Sequence, residues 1–211
     1  MTSFSHEPEL KLDFATPNDA RDISDIWYEC FPEKFLKKMF PQIPAVQQWW
    51  DDANTFDMLN RPAAKYLKVT DLAANDGKGK IVGYAKWFVP VDGQKPDFES
   101  RFPPWAQDSN KELCERFFGH LMLERRKSLE ERQHYYLDML GTIPAYQRRG
   151  VGSMLVGWGT NLADRDGVEA YVEASDQGRA VYAKHGFQPL EPFTIPGEDF
   201  QVTCFLRPAP K

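Results

Sequence analysis

No apolar run in this chain of 211 residues approaches the roughly 20 residues needed to cross a bilayer. Cysteine is scarce. Cys30, Cys114 and Cys204 are odd in number and widely spaced, which argues against a disulfide framework or a zinc knuckle and for reduced thiols in a cytoplasmic protein. No metal site is expected. An excess of positive charge is also missing: 26 Lys and Arg stand against 31 Asp and Glu, so there is no overall basic field for nucleic acid. The opening MTSFSHEPEL has neither the basic stretch nor the apolar core of a secretory leader. Neither nucleic acid nor a membrane is expected as a partner.

What is present is ordinary for a globular protein, with 42% apolar and 27% charged residues. Such a length buries a core without staples. A flexible polar stretch over 1–9 and one domain over 10–211 are expected. Leu10, Leu12 and Phe14 alternate with charged residues, as in a strand. Thr16 or Asn18 is placed to cap a helix whose face carries Ile23, Ile26 and Trp27. Phe31, Phe35, Met39 and Phe40 continue an aromatic helical region that Pro32, Pro41 and Pro44 cut into pieces. Strands are expected at 66–72 and 81–89, joined by a hairpin turn over 75–80. Residues 90–108, rich in proline and aromatics, read as a long loop of the kind that forms lids. Leu113, Phe117 and Leu121 begin a further helix. The second half reads as strand 135–143, helix 149–164, strand 168–174, helix 176–184 and closing strands at 187–190 and 200–206. This order predicts one mixed α/β sheet with helices on both faces.

The most informative stretch joins the strand ending near Thr142 to the helix that follows. Gln147-Arg148-Arg149-Gly150-Val151-Gly152-Ser153 places two glycines at a helix start, where backbone N–H groups have no internal acceptor and carry partial positive charge. That arrangement suits a phosphate, with Arg148 and Arg149 adding charge. The bland alternative is a plain strand–helix turn with solvated arginines. The loop lacks the Gly-Lys-Ser/Thr of a P-loop, and Leu155 stands where a dinucleotide fingerprint needs its third glycine.

Gln147–Gly152 resembles the Q/R-x-x-G-x-G/A motif of the GCN5-related N-acetyltransferase (GNAT) superfamily. Residues 173–187, EASDQGRAVYAKHGF, are similar to that superfamily's E-A-S-x-x-G-x-x-L-Y-x-x-x-G-F segment. The clear resemblance covers about residues 134–190, and the segments near 30–64 and 90–130 carry no signature. It implies a GNAT-like, mostly antiparallel sheet and acetyl-CoA as cosubstrate. It also implies the pyrophosphate on the amides of Arg148 to Ser153, and the pantetheine arm along Leu140, Gly141 and Thr142 between two splayed strands. The amide of Leu140 then faces the thioester carbonyl, and Gly141 sits where a bulge re-aims the strand or simply packs.

Tyr182 matches the family's general acid, and a phenol with a pKa near 10 suits protonation of a departing thiolate. Period-two alternation puts His134, Tyr136, Asp138 and Leu140 on one face. The family's Glu or His falls at Tyr136 or Asp138, so Asp138 is the first candidate base, with Glu173 and Glu169 as rivals. Ser175 matches a position where many relatives hold pantetheine with Asn. His134 and His185 read as surface residues. Asp51, Asp52 and Asp57 read as a solvated acidic face or a lure for a cationic acceptor, and Trp27, Phe31, Phe35, Phe40, Trp49, Trp50, Phe98, Phe102 and Trp105 as core or acceptor-pocket wall. The implied activity is direct transfer of acetyl to a primary amine of a small molecule or amino acid, by a monomer or homodimer. The alternatives are acetylation of a protein amine, a non-catalytic acyl-CoA sensor, and an unrelated phosphate-binding domain.

Overall fold

The computed structural model describes residues 7–98, 104–174 and 176–210. The strands are β1 (Leu10–Phe14), β2 (Ala64–Asp71), β3 (Lys80–Phe88), β4 (His134–Thr142), β5 (Glu169–Ala174), β6 (Gln188–Pro189), β7 (Phe193–Thr194) and β8 (Gln201–Arg207). The helices are α1 (Ala20–Cys30), α2 (Lys34–Met39), α3 (Pro44–Asn60), α4 (Lys111–Leu129), α5 (Val151–Asp166) and α6 (Arg179–Lys184). The sheet runs β1-β2-β3-β4-β5-β8-β6, with β7 on β8. Only the β4–β5 pairing is parallel among the described strands. The expected mixed, mostly antiparallel sheet with helices on both faces is therefore what forms.

Two glycines show which helix covers which face. A Cβ on Gly83 meets Val151 Cγ1 at 2.6 Å, on the α5 side. A Cβ on Gly141 comes within 3.0–3.4 Å of Tyr84, Cys30 and Ile26, on the α1 side. Gly141 and its neighbour Thr142 thus point to opposite layers, as successive strand residues do. The α5 layer rests on β2 to β5 through Val151, Leu155 and Val156. The opposite layer is α1 against α3, with an aromatic satellite core of Trp27, Phe35, Phe40, Trp50 and Phe117 uniting α1 to α4. Most of the early aromatics are core, as helical spacing suggests.

Pro44 does not cut a helix. It occupies the first turn of α3, where its missing N–H costs nothing, while Pro32 and Pro41 fall in the breaks, so three helices separate β1 from β2. Glu9, at the end of the stretch expected to be flexible, is tied to the sheet edge: its amide donates to Asp71 Oδ1 at 3.0 Å, and its carbonyl accepts from Leu72 at 2.8 Å. The described flanks of the 90–108 loop are fastened too. Trp49 Nε1 donates to Pro104 O at 2.7 Å and Arg125 Nη2 to Asp97 O at 2.7 Å. Phe102 lies outside the described residues.

Trp87 is wholly buried, with Nε1 donating to Leu155 O at 3.2 Å. Its indole lies 2.4–2.6 Å from where a Cβ on Gly159 would sit. Gly159→Ala is expected to lower stability by about 1–3 kcal/mol through overpacking. Gly119→Ala, in an open helical position, is expected to raise it by up to about 1 kcal/mol. Urea denaturation of both variants checks this, and equal midpoints contradict it.

Candidate functional site

The site begins where two neighbouring strands part. β4 and β5 pair only from His134↔Glu169 to Leu137↔Val172. Beyond that point residues 139–142 stay with β3, while Glu173 and Ala174 stay with β8. No described strand pairs with the β5-facing edge of residues 138–142. Ile143 N donates to Val82 O at 3.0 Å. Counting back through an alternating strand, the Gly141 amide also faces β3, and those of Leu140 and Thr142 face the opening. An unpaired strand edge inside a sheet is a place for an extended ligand rich in amides.

The mouth of the opening is bulged and charged. Met139 faces Lys86 and Leu137 faces Trp87, so Asp138 is the extra residue of a β-bulge. The bulge lies at Asp138 rather than at Gly141, which is a packing glycine under α1. It also resets the alternation, so Leu140 does not share the face of His134, Tyr136 and Asp138. Asp138 and Glu173 each lie two residues beyond the aligned Tyr136↔Tyr171 pair, which puts both candidate carboxylates on one face at the mouth.

Asp138 is held from below. Lys86 Nζ lies 3.1 Å from Asp138 Oδ2 and 2.6 Å from Asp57 Oδ2. The three side chains are only 3%, 2% and 3% exposed respectively. Asp57 also meets Arg61 Nε at 3.0 Å and accepts from Tyr66 Oη at 3.4 Å. The charges therefore alternate from Arg61 through Asp57 and Lys86 to Asp138. The Tyr66 and Phe88 rings flank the ammonium at 5.5 and 5.0 Å. Burial, with Asp57 and Asp138 nearby, pushes the Tyr66 phenol well above its ordinary range. Asp57 is thus not a solvated face, and neither is Asp51, which is buried and paired with Arg21 at 2.6 Å.

The Gln147–Ser153 loop lies at the far end of the opening. Arg148 (φ 59°) and Gly150 (φ 90°) take left-handed backbone to turn the chain into α5. The first helical bond is Met154 N to Gly150 O at 2.9 Å, so the amides of Val151, Gly152 and Ser153 occupy the turn that has no internal acceptors. Gln147, Arg148, Arg149 and Gly150 are exposed. Gln147 Nε2 donates to Thr142 O at 3.3 Å, tying the loop to β4. Tyr146 Oη donates to buried Asp71 at 2.8 Å, anchoring the loop's start. Burial and that carboxylate push the Tyr146 phenol up to about 12.

Tyr182 is buried on α6 between Phe187 and Phe205, in space that a side chain on Gly178 would fill. Burial raises its pKa, so the phenol stays protonated through the physiological range. A Cβ on Gly152 would sit 3.8 Å from Val181 and 4.0 Å from Thr142 Oγ1, so α6, the loop and β4 meet around one glycine. Ser175 lies outside the described residues. Glu169 is taken up by Arg132 at 2.8 Å, away from the mouth. His134 is buried rather than on the surface, and His185 is half-buried with its ring on Ser153. Lys86 is the residue that periodicity overlooks, although a lone lysine inside Ile81–Val89 was a visible signal, because a buried charge requires a partner.

A sequence model described as the acetyltransferase (GNAT) family matches residues 20–187. A protein from Stachybotrys chartarum described as an acetyltransferase is 26% identical, over 92% of this chain and 86% of that one. Mosquito arylalkylamine N-acetyltransferase like 5b shares the fold with a TM-score of 0.62 at 12% identity, covering 94% and 99% of the two chains. Arabidopsis thaliana NAA60, solved with acetyl-CoA, does so with a TM-score of 0.58 at 15% identity, covering 94% and 97%.

Lys86→Met removes the ammonium shared by two enclosed carboxylates and is expected to cost about 3–5 kcal/mol. Lys95→Met, which breaks an exposed pair with Glu131, is expected to leave the urea midpoint unchanged. An equally small effect at Lys86 contradicts the clamp.

Proposed function

The chain belongs to the acetyltransferase (GNAT) family, and on that premise we propose that it moves the acetyl group directly to the primary amine of a small molecule with an apolar body. It is an N-acetyltransferase, and acetyl-CoA is the donor of its family. One observation carries the reading: the opening between β4 and β5 leads to the free first-turn amides of α5. In this reading the pyrophosphate rests on Val151, Gly152 and Ser153 with Arg148 and Arg149 alongside. The pantetheine arm follows Leu140 to Thr142, and the Leu140 amide donates to the thioester oxygen as negative charge develops there.

The acceptor meets the carboxylates at the mouth. Asp138, enclosed and clamped by Lys86, supplies fixed negative charge. Half-buried Glu173 takes the ammonium proton, directly or through water. The nitrogen then attacks, the C–N bond forms as the C–S bond breaks, Tyr182 protonates the thiolate, and the proton shed by the new amide nitrogen restores the phenol. An acetyl-enzyme step finds no support: burial pushes the thiols of Cys30, Cys114 and Cys204 up to about 12, so no thiolate nucleophile is ready. The apolar acceptor body is supported by Met139, which packs against both the main core and the aromatic satellite. Residues 10–211 act as one domain in this reading, and the three free thiols fit a cytoplasmic setting.

Tyr182→Phe is expected to bind acetyl-CoA like the wild type while turnover on a panel of small primary amines falls about 10²–10⁴-fold. Calorimetry paired with a free-thiol assay reads both quantities. Undiminished turnover removes Tyr182 from the acid role.

A further inference from the structure

His185 follows α6 directly, three residues after Tyr182, and it is gripped by α5 and β8. Its ring Nε2 lies 2.8 Å from Ser153 Oγ in the first turn of α5. Its carbonyl accepts from Arg207 Nε of β8 at 2.8 Å. The same arginine forks onto Asp164 near the end of α5, with both bonds at 2.7 Å. The ring packs closely over Gly157, where a Cβ would stand a tight 3.3 Å from His185 Cε1. So much fixation of one half-buried ring against one hydroxyl calls for an explanation beyond packing.

A serine hydroxyl has a single proton to give. If Ser153 spends it on the imidazole, its oxygen lone pairs face any anion held on the loop and repel it. If Nε2 carries the proton and donates to Ser153, the hydroxyl is released to donate outward. Burial, Lys184 and Arg207 lower the pKa of His185, so the neutral ring is free to adopt either tautomer at neutral pH.

We propose that His185 is a positioning residue for the donor: its Nε2–H fixes the Ser153 hydroxyl so that it donates to a phosphate oxygen of acetyl-CoA. This rests on the reading of the Arg148–Ser153 loop as the pyrophosphate site. It also couples phosphate binding to the segment that carries Tyr182, because the His185 amide donates to the carbonyls of Tyr182 and Val181 at 3.0 and 3.2 Å.

The test is calorimetric titration of acetyl-CoA into wild type, Ser153→Ala, His185→Phe, the double variant and His185→Gln. Glutamine keeps a side-chain N–H at a similar reach, whereas phenylalanine offers none. Ser153→Ala and His185→Phe are each expected to weaken binding roughly tenfold, the double variant no further, and His185→Gln to stay within about twofold of wild type. A His185→Phe protein that binds like wild type overturns the proposal, as do losses that multiply in the double variant. Should His185→Phe fail to fold, the glutamine variant decides: affinity as poor as that of Ser153→Ala overturns the proposal. A wild type that does not take up acetyl-CoA at all removes the donor reading first, and this inference with it.

Discussion

The site depends on two central strands that stop pairing. Backbone N–H and C=O groups inside a sheet must find partners, yet β4 leaves β5 after Leu137↔Val172 and keeps only β3 on its other side. The parting is stable because each strand keeps its outer neighbour: β3 continues along β4 to Thr142, and β8 along β5 to Ala174. The bulge at Asp138 falls at the point of separation, where it twists β4 away. In the proposed reading the pantetheine arm, with its own amides, restores what the missing ladder gave up.

Electrostatics divide along the opening. At one end, first-turn amides and two arginines form a positive rim with no carboxylate among Gln147–Ser153. At the other, Glu173 and the enclosed Asp138 share one face of the mouth, and Asp138 is backed by a chain of alternating charges that ends at Arg61. In the proposed reading an anionic donor and a cationic acceptor have separate entrances. Lys86 is what makes Asp138 tolerable in the interior, since an enclosed carboxylate without a counterion is strongly unfavourable.

The loop and its helix are legible in the sequence because their signals are local: two glycines, a capless helix start and an apolar stripe from Val151 to Leu162. The resemblance over residues 134–190 lies in this same half. The mouth is less legible. Alternation predicts one continuous face for His134 to Leu140, and a bulge that no single residue announces breaks it after Asp138. Pro44 carries two opposite meanings, breaker or first-turn residue, and only the packing of Val46, Trp50 and Ala53 decides for α3. Asp57 and Asp51 look like surface charges until the sheet brings Lys86 beneath one and α1 brings Arg21 beside the other. His185 looks like a surface residue because its partner, Ser153, lies a whole strand away in sequence.

The central claim is that acetyl-CoA lies across the β4–β5 opening with its phosphates on α5. Amide-resolved NMR titration tests it most directly. With acetyl-CoA, the amides of Leu140, Thr142, Val151, Gly152 and Ser153 are predicted to shift together and saturate with one affinity, while ATP leaves the β4 amides unmoved. Saturating shifts confined to other elements, with these five unchanged, contradict the account.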